Sequence, residues 1–150
     1  MSQKDPNCIF CKIASGQISA RVVMQNDRAL AFLDVSPLAT GHTLVVPKAH
    51  FQKVQDMDAP DAQAVFDIVR QVTGRVESAA GTSASTIAVH NGREAGQEVQ
   101  HVHVHIIPRR PGDGAGPVHS MFKDRPKLSA QEMDALFAKM VTVISQAEQD

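Results

Sequence analysis

Residues 101–107 read His-Val-His-Val-His-Ile-Ile, and Pro108 follows. No other stretch of the chain restricts the fold as much. Alternation of polar and branched apolar residues has the period of a β-strand, whose successive side chains point to opposite faces. The pattern predicts a strand with His101, His103 and His105 on one face and Val102, Val104 and Ile106 on the other. The apolar face calls for a helix to cover it. The histidine face must meet polar partners, because an imidazole buried without one is costly. Three such residues in succession make poor core and point to a chemical site.

The flanking sequence supplies partners for this strand. "CIFCKIAS" carries Ile9 and Ile13 at helical spacing and predicts a short helix ended by Gly16. "ARVVMQNDRALAFLDV" reads as a hairpin that turns at Asn26-Asp27. "HTLVVP" is a short apolar strand closed by Pro47. Asp58, Pro60 and Asp61 signal a helix start. Val65, Ile68, Val69, Val72 and Val76 then form one apolar face, and Gly81 is a left-handed stop. "STIAVHN" is the next strand, followed by the polar loop "NGREAGQEVQ" and the histidine strand. After an irregular "RRPGDGAGP", Ser129 and Glu132 form a capping box for a last helix. Strands with short links, interleaved with helices, predict an α+β domain built on an antiparallel sheet. The expected organisation is one domain over 1–150, with its core in 8–110 and a C-terminal loop and helix over 111–150.

Composition narrows the function. Among 150 residues, 43% are apolar and 21% charged, enough for a core and unlike a disordered chain. A net charge of −1 gives no reason to expect nucleic acid or an anionic membrane as partner. Tryptophan and tyrosine are absent, which disfavours a base-stacking platform for single strands. No apolar run is long enough for a membrane span, and "MSQKDPN" leads into no signal-peptide core, so a cytoplasmic location is expected.

The three histidines cannot all hold one ion. Neighbouring members sit about 6.6 Å apart at Cα and the outer two about 13 Å, against a metal–nitrogen bond of ~2 Å. They must divide their labour. The two cysteines, Cys8 and Cys11, are spaced as Cys-x-x-Cys, which suits a metal or a redox dithiol. No strand precedes Cys8, so the thioredoxin-like context is missing. Cys8, Cys11 and His50 could join His101 in a closed Cys₂His₂ zinc site. His103 would then be free as a nucleophile, provided an acceptor holds the proton on its other nitrogen. The preceding loop suits phosphate: Gly92 and Gly96 let backbone N–H groups approach closely, and Asn91 and Gln97 add amide donors. His105 can bind or orient a second phosphate oxygen. His42 and His90 flank strands and read as structural partners.

At this point the chain resembles the histidine-triad (HIT) family. "HVHVHII" matches the family pattern His-φ-His-φ-His-φ-φ, with φ apolar, and "CIFCKIASGQISARVV", "RALAFLDVSPLATGHTLVVPKAH" and "NGREAGQEVQHVHVHIIPR" resemble family segments in the same order. The resemblance covers roughly residues 8–110. The N-terminal two thirds are similar to the small bacterial HIT and Hint branch, while "HVHVHIIPRRPGD" is also similar to the Fhit branch. It implies a HIT-like fold, a five-stranded antiparallel sheet with helices, and a homodimer that joins two sheets edge to edge into ten strands. It implies purine nucleotides as ligands, with hydrolysis or transfer at the α-phosphate through a nucleotidyl-histidine, and phosphoramidates, aminoacyl-adenylates or dinucleoside polyphosphates as substrates. By position the nucleophile is His103, His105 contacts phosphate, and the His101 carbonyl fixes the His103 tautomer. Asn91, Gly96, Gln97, Glu98 and Val99 fall on the phosphate and leaving-group loop. Asp34 falls on a ribose-binding position, and Phe10, Ile18, Phe32 and Val35 on base-pocket positions. Structural Zn²⁺ is implied on Cys8, Cys11, His50 and His101.

Some of these residues also have plain readings. Phe32 and Ile18 could be ordinary core, and Asp34, ahead of Ser36-Pro37, could simply begin a turn. One position departs from the family. After Gln97 the Hint and Fhit branches commonly carry Ser or Thr, and here Glu98 follows; a carboxylate there repels an anionic leaving group and tolerates a cationic one. The resulting expectation is a HIT-type nucleotide hydrolase or transferase, with a nucleotide-binding sensor or interaction module of little catalytic activity as the alternative.

Overall fold

A computed structural model describes residues 4–147 of the chain. It divides between Gly114 and Ala115 into two compact units. In the first, β1 (Val22–Gln25), β2 (Ala29–Leu33), β3 (Thr43–Pro47), β4 (Ser85–Ala88) and β5 (Val104–Pro108) form one sheet in the order β1-β2-β3-β5-β4. Every neighbouring pair is antiparallel. The short helix α1 (Ile9–Ala14) and the long helix α2 (Ala59–Ala80) complete this unit. The second unit holds α3 (Ala130–Ala147), started by the expected reciprocal cap: Ser129 N–H donates to Glu132 at 2.7 Å and Glu132 N–H to Ser129 Oγ at 3.2 Å. No helix among the described residues is long and apolar enough to cross a membrane.

The hairpin turns at Asn26, whose side-chain oxygen accepts from the N–H groups of Arg28 at 2.9 Å and Ala29 at 2.8 Å. Asp58 caps α2 by accepting from Asp61 N–H at 2.9 Å, and Gly81 ends it at φ +69°, where a side chain would be strained.

The sheet separates two cores. Ala29, Ala31, Val45, Val104 and Ile106 pack against Val65, Ile68, Val69 and Val72 of α2. Leu30, Phe32, Leu44 and Val46 on the other face pack against Cys8, Phe10 and Cys11. Residues 29–32 of β2 and 44–47 of β3 are buried on both faces and apolar at every position, as expected of interior strands. The buried face of α1 is Phe10 with Cys11, not the expected Ile9, which is exposed.

The histidine strand begins later than its alternation predicts. β5 starts at Val104, so His101 and His103 precede it. The reason lies in the partner strand. Proline has no N–H for the ladder, and the Pro47 carbonyl is taken by the His101 ring at 2.8 Å. Val102 N–H instead donates to Phe51 O at 2.7 Å, and Val102 stays buried with Val104 and Ile106. The alternation survives although the ladder stops.

Candidate active site

His101 is fully buried and faces two ways. Its ring Nε2–H donates to the Pro47 carbonyl at 2.8 Å, because a carbonyl can only accept, and this leaves a lone pair on Nδ1. That nitrogen lies 3.4 Å from Cys8 Sγ, 3.6 Å from Cys11 Sγ and 3.3 Å from His50 Nδ1. His50 Nδ1 is in turn 3.4 Å from Cys11 Sγ. Metal bonds of ~2.05 Å to nitrogen and ~2.3 Å to sulfur, set tetrahedrally, separate nitrogen pairs by about 3.35 Å and sulfur–nitrogen pairs by about 3.55 Å. Four of the six donor separations therefore already match the edges of such a tetrahedron, and the other two lie within 4.8 Å. Burial, aided by the adjacent Cys8 sulfur, raises the Cys11 thiol above its ordinary value, a condition that a bound cation reverses. Donor type, spacing and burial all fit a zinc ion held by Cys8, Cys11, His50 and His101.

The His101 carbonyl acts on the next histidine. His103 Nδ1–H donates to it at 2.7 Å, so Nε2 carries the lone pair. His103 is only 6% exposed, and burial holds it below the ordinary imidazole value, neutral at pH 7. Its ring lies edge-on to Phe10 with centroids 5.2 Å apart, and 4.9 Å from the ring of His105. The result is a neutral, oriented imidazole with one bare nitrogen.

His105 is organised by a residue that the sequence marked only as a strand-flanking partner. Leu38 N–H donates to His42 Nδ1 at 3.1 Å. His42 must then carry its proton on Nε2, which stands 2.9 Å from His105 Nδ1 and donates to it. His105 is left with its proton on Nε2, a buried atom that has no hydrogen-bond partner among the described residues. Burial pushes His105 down to about 4 and lowers His42 as well, so both stay neutral. A buried donor without an acceptor is rare and asks for a ligand oxygen. His42 escaped the sequence reading because its role depends on strand register: Leu44 pairs with His105, and His42 lies two residues before Leu44 on the same face. A histidine heading an apolar strand was the available signal. The His90 ring also approaches His105, at 5.3 Å between centroids.

The loop before the triad is braced from within. Gln97 is buried; its Oε1 accepts from Gly92 N–H at 2.8 Å and its Nε2 donates to Gln52 O at 2.7 Å. Asn91 accepts from Val54 N–H at 2.9 Å and donates to Gln55 Oε1 at 3.0 Å. Each amide expected to donate to phosphate thus already spends an N–H on the scaffold. Gly96 adopts φ +90°, and its own N–H closes a turn onto Arg93 O. Among the described residues, the N–H groups of Glu98 and Val99 donate to nothing. These two donors stand three and two residues before the first histidine of the triad.

The remaining predicted residues surround this centre unevenly. Phe10, Phe32 and Val99 belong to or pack on the core beneath the histidines. Ile18 and Val35 are exposed, Val35 by 85%. The Asp34 carboxylate lies 3.7 Å from His42 Nδ1 and accepts from Ser36 N–H at 2.8 Å, so it also starts the turn.

The chain is similar to known proteins. The HIT domain family matches residues 15–112. An uncharacterized HIT-like protein of Methanocaldococcus jannaschii is 49% identical over 109 residues, 71% of this chain and 82% of that protein. The adenosine 5′-monophosphoramidase hnt1 of Schizosaccharomyces pombe is 39% identical over 103 residues, 69% of this chain and 74% of that one. Among solved structures, a member of the HIT family from Bacillus subtilis superposes with a TM-score of 0.81 at 34% identity, covering 91% of this chain and 96% of that one.

Proposed function

The chain belongs to the HIT family, and from that premise we propose that it is a nucleotide hydrolase or transferase acting at the α-phosphate of purine nucleotide conjugates. The observation that carries this reading is the 2.7 Å bond from His103 Nδ1–H to the His101 carbonyl, which leaves Nε2 of the neutral ring with its lone pair free. Relatives named as HIT-family hydrolases support it, among them the phosphoramidase already described.

In this mechanism His103 Nε2 attacks the α-phosphorus. The bond from phosphorus to the leaving group breaks, and a nucleotidyl–His103 adduct forms. The His105 Nε2–H donates to a non-bridging oxygen, with His42 holding the tautomer that makes this possible. The Glu98 and Val99 N–H groups stabilise the negative charge that develops on the transferring group. Water then attacks phosphorus from the side opposite His103, releasing the nucleoside monophosphate and restoring the ring. Phe10, Phe32, Ile18 and Val35 would line the base pocket, and Asp34 would bind ribose. Zinc on Cys8, Cys11, His50 and His101 would cross-link the chain behind the triad and keep the His101 carbonyl in place. We also propose a homodimer formed by sheet extension, tested below.

His103→Ala should lower kcat/KM for an adenosine phosphoramidate by roughly 10³-fold or more and still bind adenosine monophosphate, measured by calorimetry. Turnover retained in that variant would exclude the mechanism. Wild-type protein that binds the nucleotide but shows no single turnover with any adenylyl conjugate would assign it instead as a sensor.

A further inference from the structure

The rings of His42, His90 and His103 all lie against His105, and the mechanism above gives a task to every one of these four except His90. The sequence reads His90 as a structural partner, yet its ring has no hydrogen-bond partner among the described residues. The backbone delivers it to the site. Ala88 pairs with His105 across β4 and β5, and Val89 packs on the core facing α2. Alternation then turns His90 to the face that carries His105. The two rings lie 5.3 Å apart between centroids, and the His105 ring is 4.9 Å from that of His103. His90 also borders the loop before the triad, where a Cβ on Gly96 would stand 3.8 Å from its Nδ1. The other three rings have no proton to spare. His103 holds its Nδ1–H on the His101 carbonyl, His42 spends its Nε2–H on His105, and the His105 Nε2–H is the buried donor kept for a ligand oxygen. Burial keeps all three neutral at pH 7. His90 is only half-buried. A departing nitrogen or oxygen must nevertheless gain a proton, and the attacking water must lose one.

Resting on the nucleotidyl-transfer reading above, we infer that His90 is the catalytic acid and base of this reaction, giving its proton to the leaving atom and later taking one from water. In the first step the bond from phosphorus to the leaving group breaks, and its electron pair stays on the leaving atom. That atom takes the proton of the His90 imidazolium, while the new bond joins His103 Nε2 to phosphorus. His90 is then neutral. In the second step it accepts a proton from the water that attacks phosphorus, which restores the imidazolium as the bond to His103 breaks. The titratable groups that face His90 are His105 and, beside it, His103, and a charge on His90 acts on both. The Asp34 carboxylate acts on the same two rings. The loop packed on His90 adds charges of both signs, Arg93, Glu94 and Glu98.

The test uses two leaving groups that differ in their need for a proton. p-Nitrophenolate departs as an anion, whereas the nitrogen of an adenosine phosphoramidate must be protonated to leave. The enzymes are the wild type, His90→Gln and His90→Asn, each counted by its binding sites for adenosine monophosphate in calorimetry, so that misfolded protein does not enter the rates. Per site, both variants should lose ~10²-fold in kcat/KM for the phosphoramidate and about threefold or less for the p-nitrophenyl ester of adenosine monophosphate, as expected when a general acid is removed. In the wild type, kcat/KM for the phosphoramidate should fall as the pH rises, because the acid form of His90 is used up. That falling limb should be absent from both variants. Equal losses on the two substrates would make His90 a structural residue and overturn the inference, and so would the same limb in His90→Gln. Wild-type protein that transfers the nucleotidyl group from neither substrate would defeat the reaction itself, and the role of His90 with it.

Discussion

His105 owes its chemistry to a proton held in place by two neighbours. Leu38 N–H fixes His42, and His42 fixes His105, so that a buried N–H is left without an acceptor among the described residues. Burial draws the His105 pKa from 6.5 to about 4. A histidine held below its ordinary value binds a proton less readily when folded than when unfolded. Between pH 6.5 and about 4 the unfolded chain therefore takes up more protons, and stability falls as the pH drops through that window. Above pH 6.5 this group contributes no slope. The thermal midpoint, followed from pH 7.5 to 4.5, should fall less steeply in His105→Gln than in the wild type; equal slopes would remove His105 as a cause. The zinc proposal has its own measurement. Elemental analysis should find one equivalent per chain, lost in Cys8→Ser/Cys11→Ser together with a lower melting temperature, because binding energy at a structural site is folding energy. Metal-free protein that melts with the wild type would exclude the site.

β5 carries His105 on one face and the core against α2 on the other, so its two faces answer different tests. Ile106 is wholly buried among the α2-facing residues. Ile106→Ala should cost about 3 kcal/mol in chemical denaturation, within the 2–5 kcal/mol typical of such cavities. A loss well under 1 kcal/mol would mean that α2 does not cover this face. The alternation that betrays β5 is a local pattern, and so are the cap at Asp58 and the box at Ser129 and Glu132; these could be read directly. What could not be read is set by partners far away in the chain. The start of β5 depends on Pro47 running out of ladder donors, the pairing of His42 with His105 on the register of β3, and the use of Gln97 as a brace on Gln52. The Cys₂His₂ donors lie between these cases. The Cys-x-x-Cys spacing announces half of the set, and only the fold brings His50 and His101 to it.

A five-stranded open sheet has two edges, and they differ. β1 is irregular: its register with β2 shifts between Val22 and Met24, a bulge of the kind that blunts an edge against further pairing. β4 pairs with β5 in unbroken register from Ser85 to Ala88. Because Arg109 N–H donates to Ala84 O, hydrogen-bonded pairs fall at alternate residues, and the backbone groups of Ser85 and Ile87 point away from β5. The same alternation sets Pro108 opposite Ser85, where its missing N–H is not needed. The outward groups of β4 form a regular template, unpaired among the described residues, and Ile87 beside them is half exposed. If the proposed dimer extends the sheet to ten strands, β4 is the edge that joins. Sedimentation at micromolar concentration should then give twice the chain mass of 16.2 kDa. Ile87→Lys should shift the population toward one chain, since two such charges would meet across the twofold seam at a short distance. A native protein that sediments as a single chain would refute the dimer. A variant that still pairs as tightly as the wild type would move the seam away from β4.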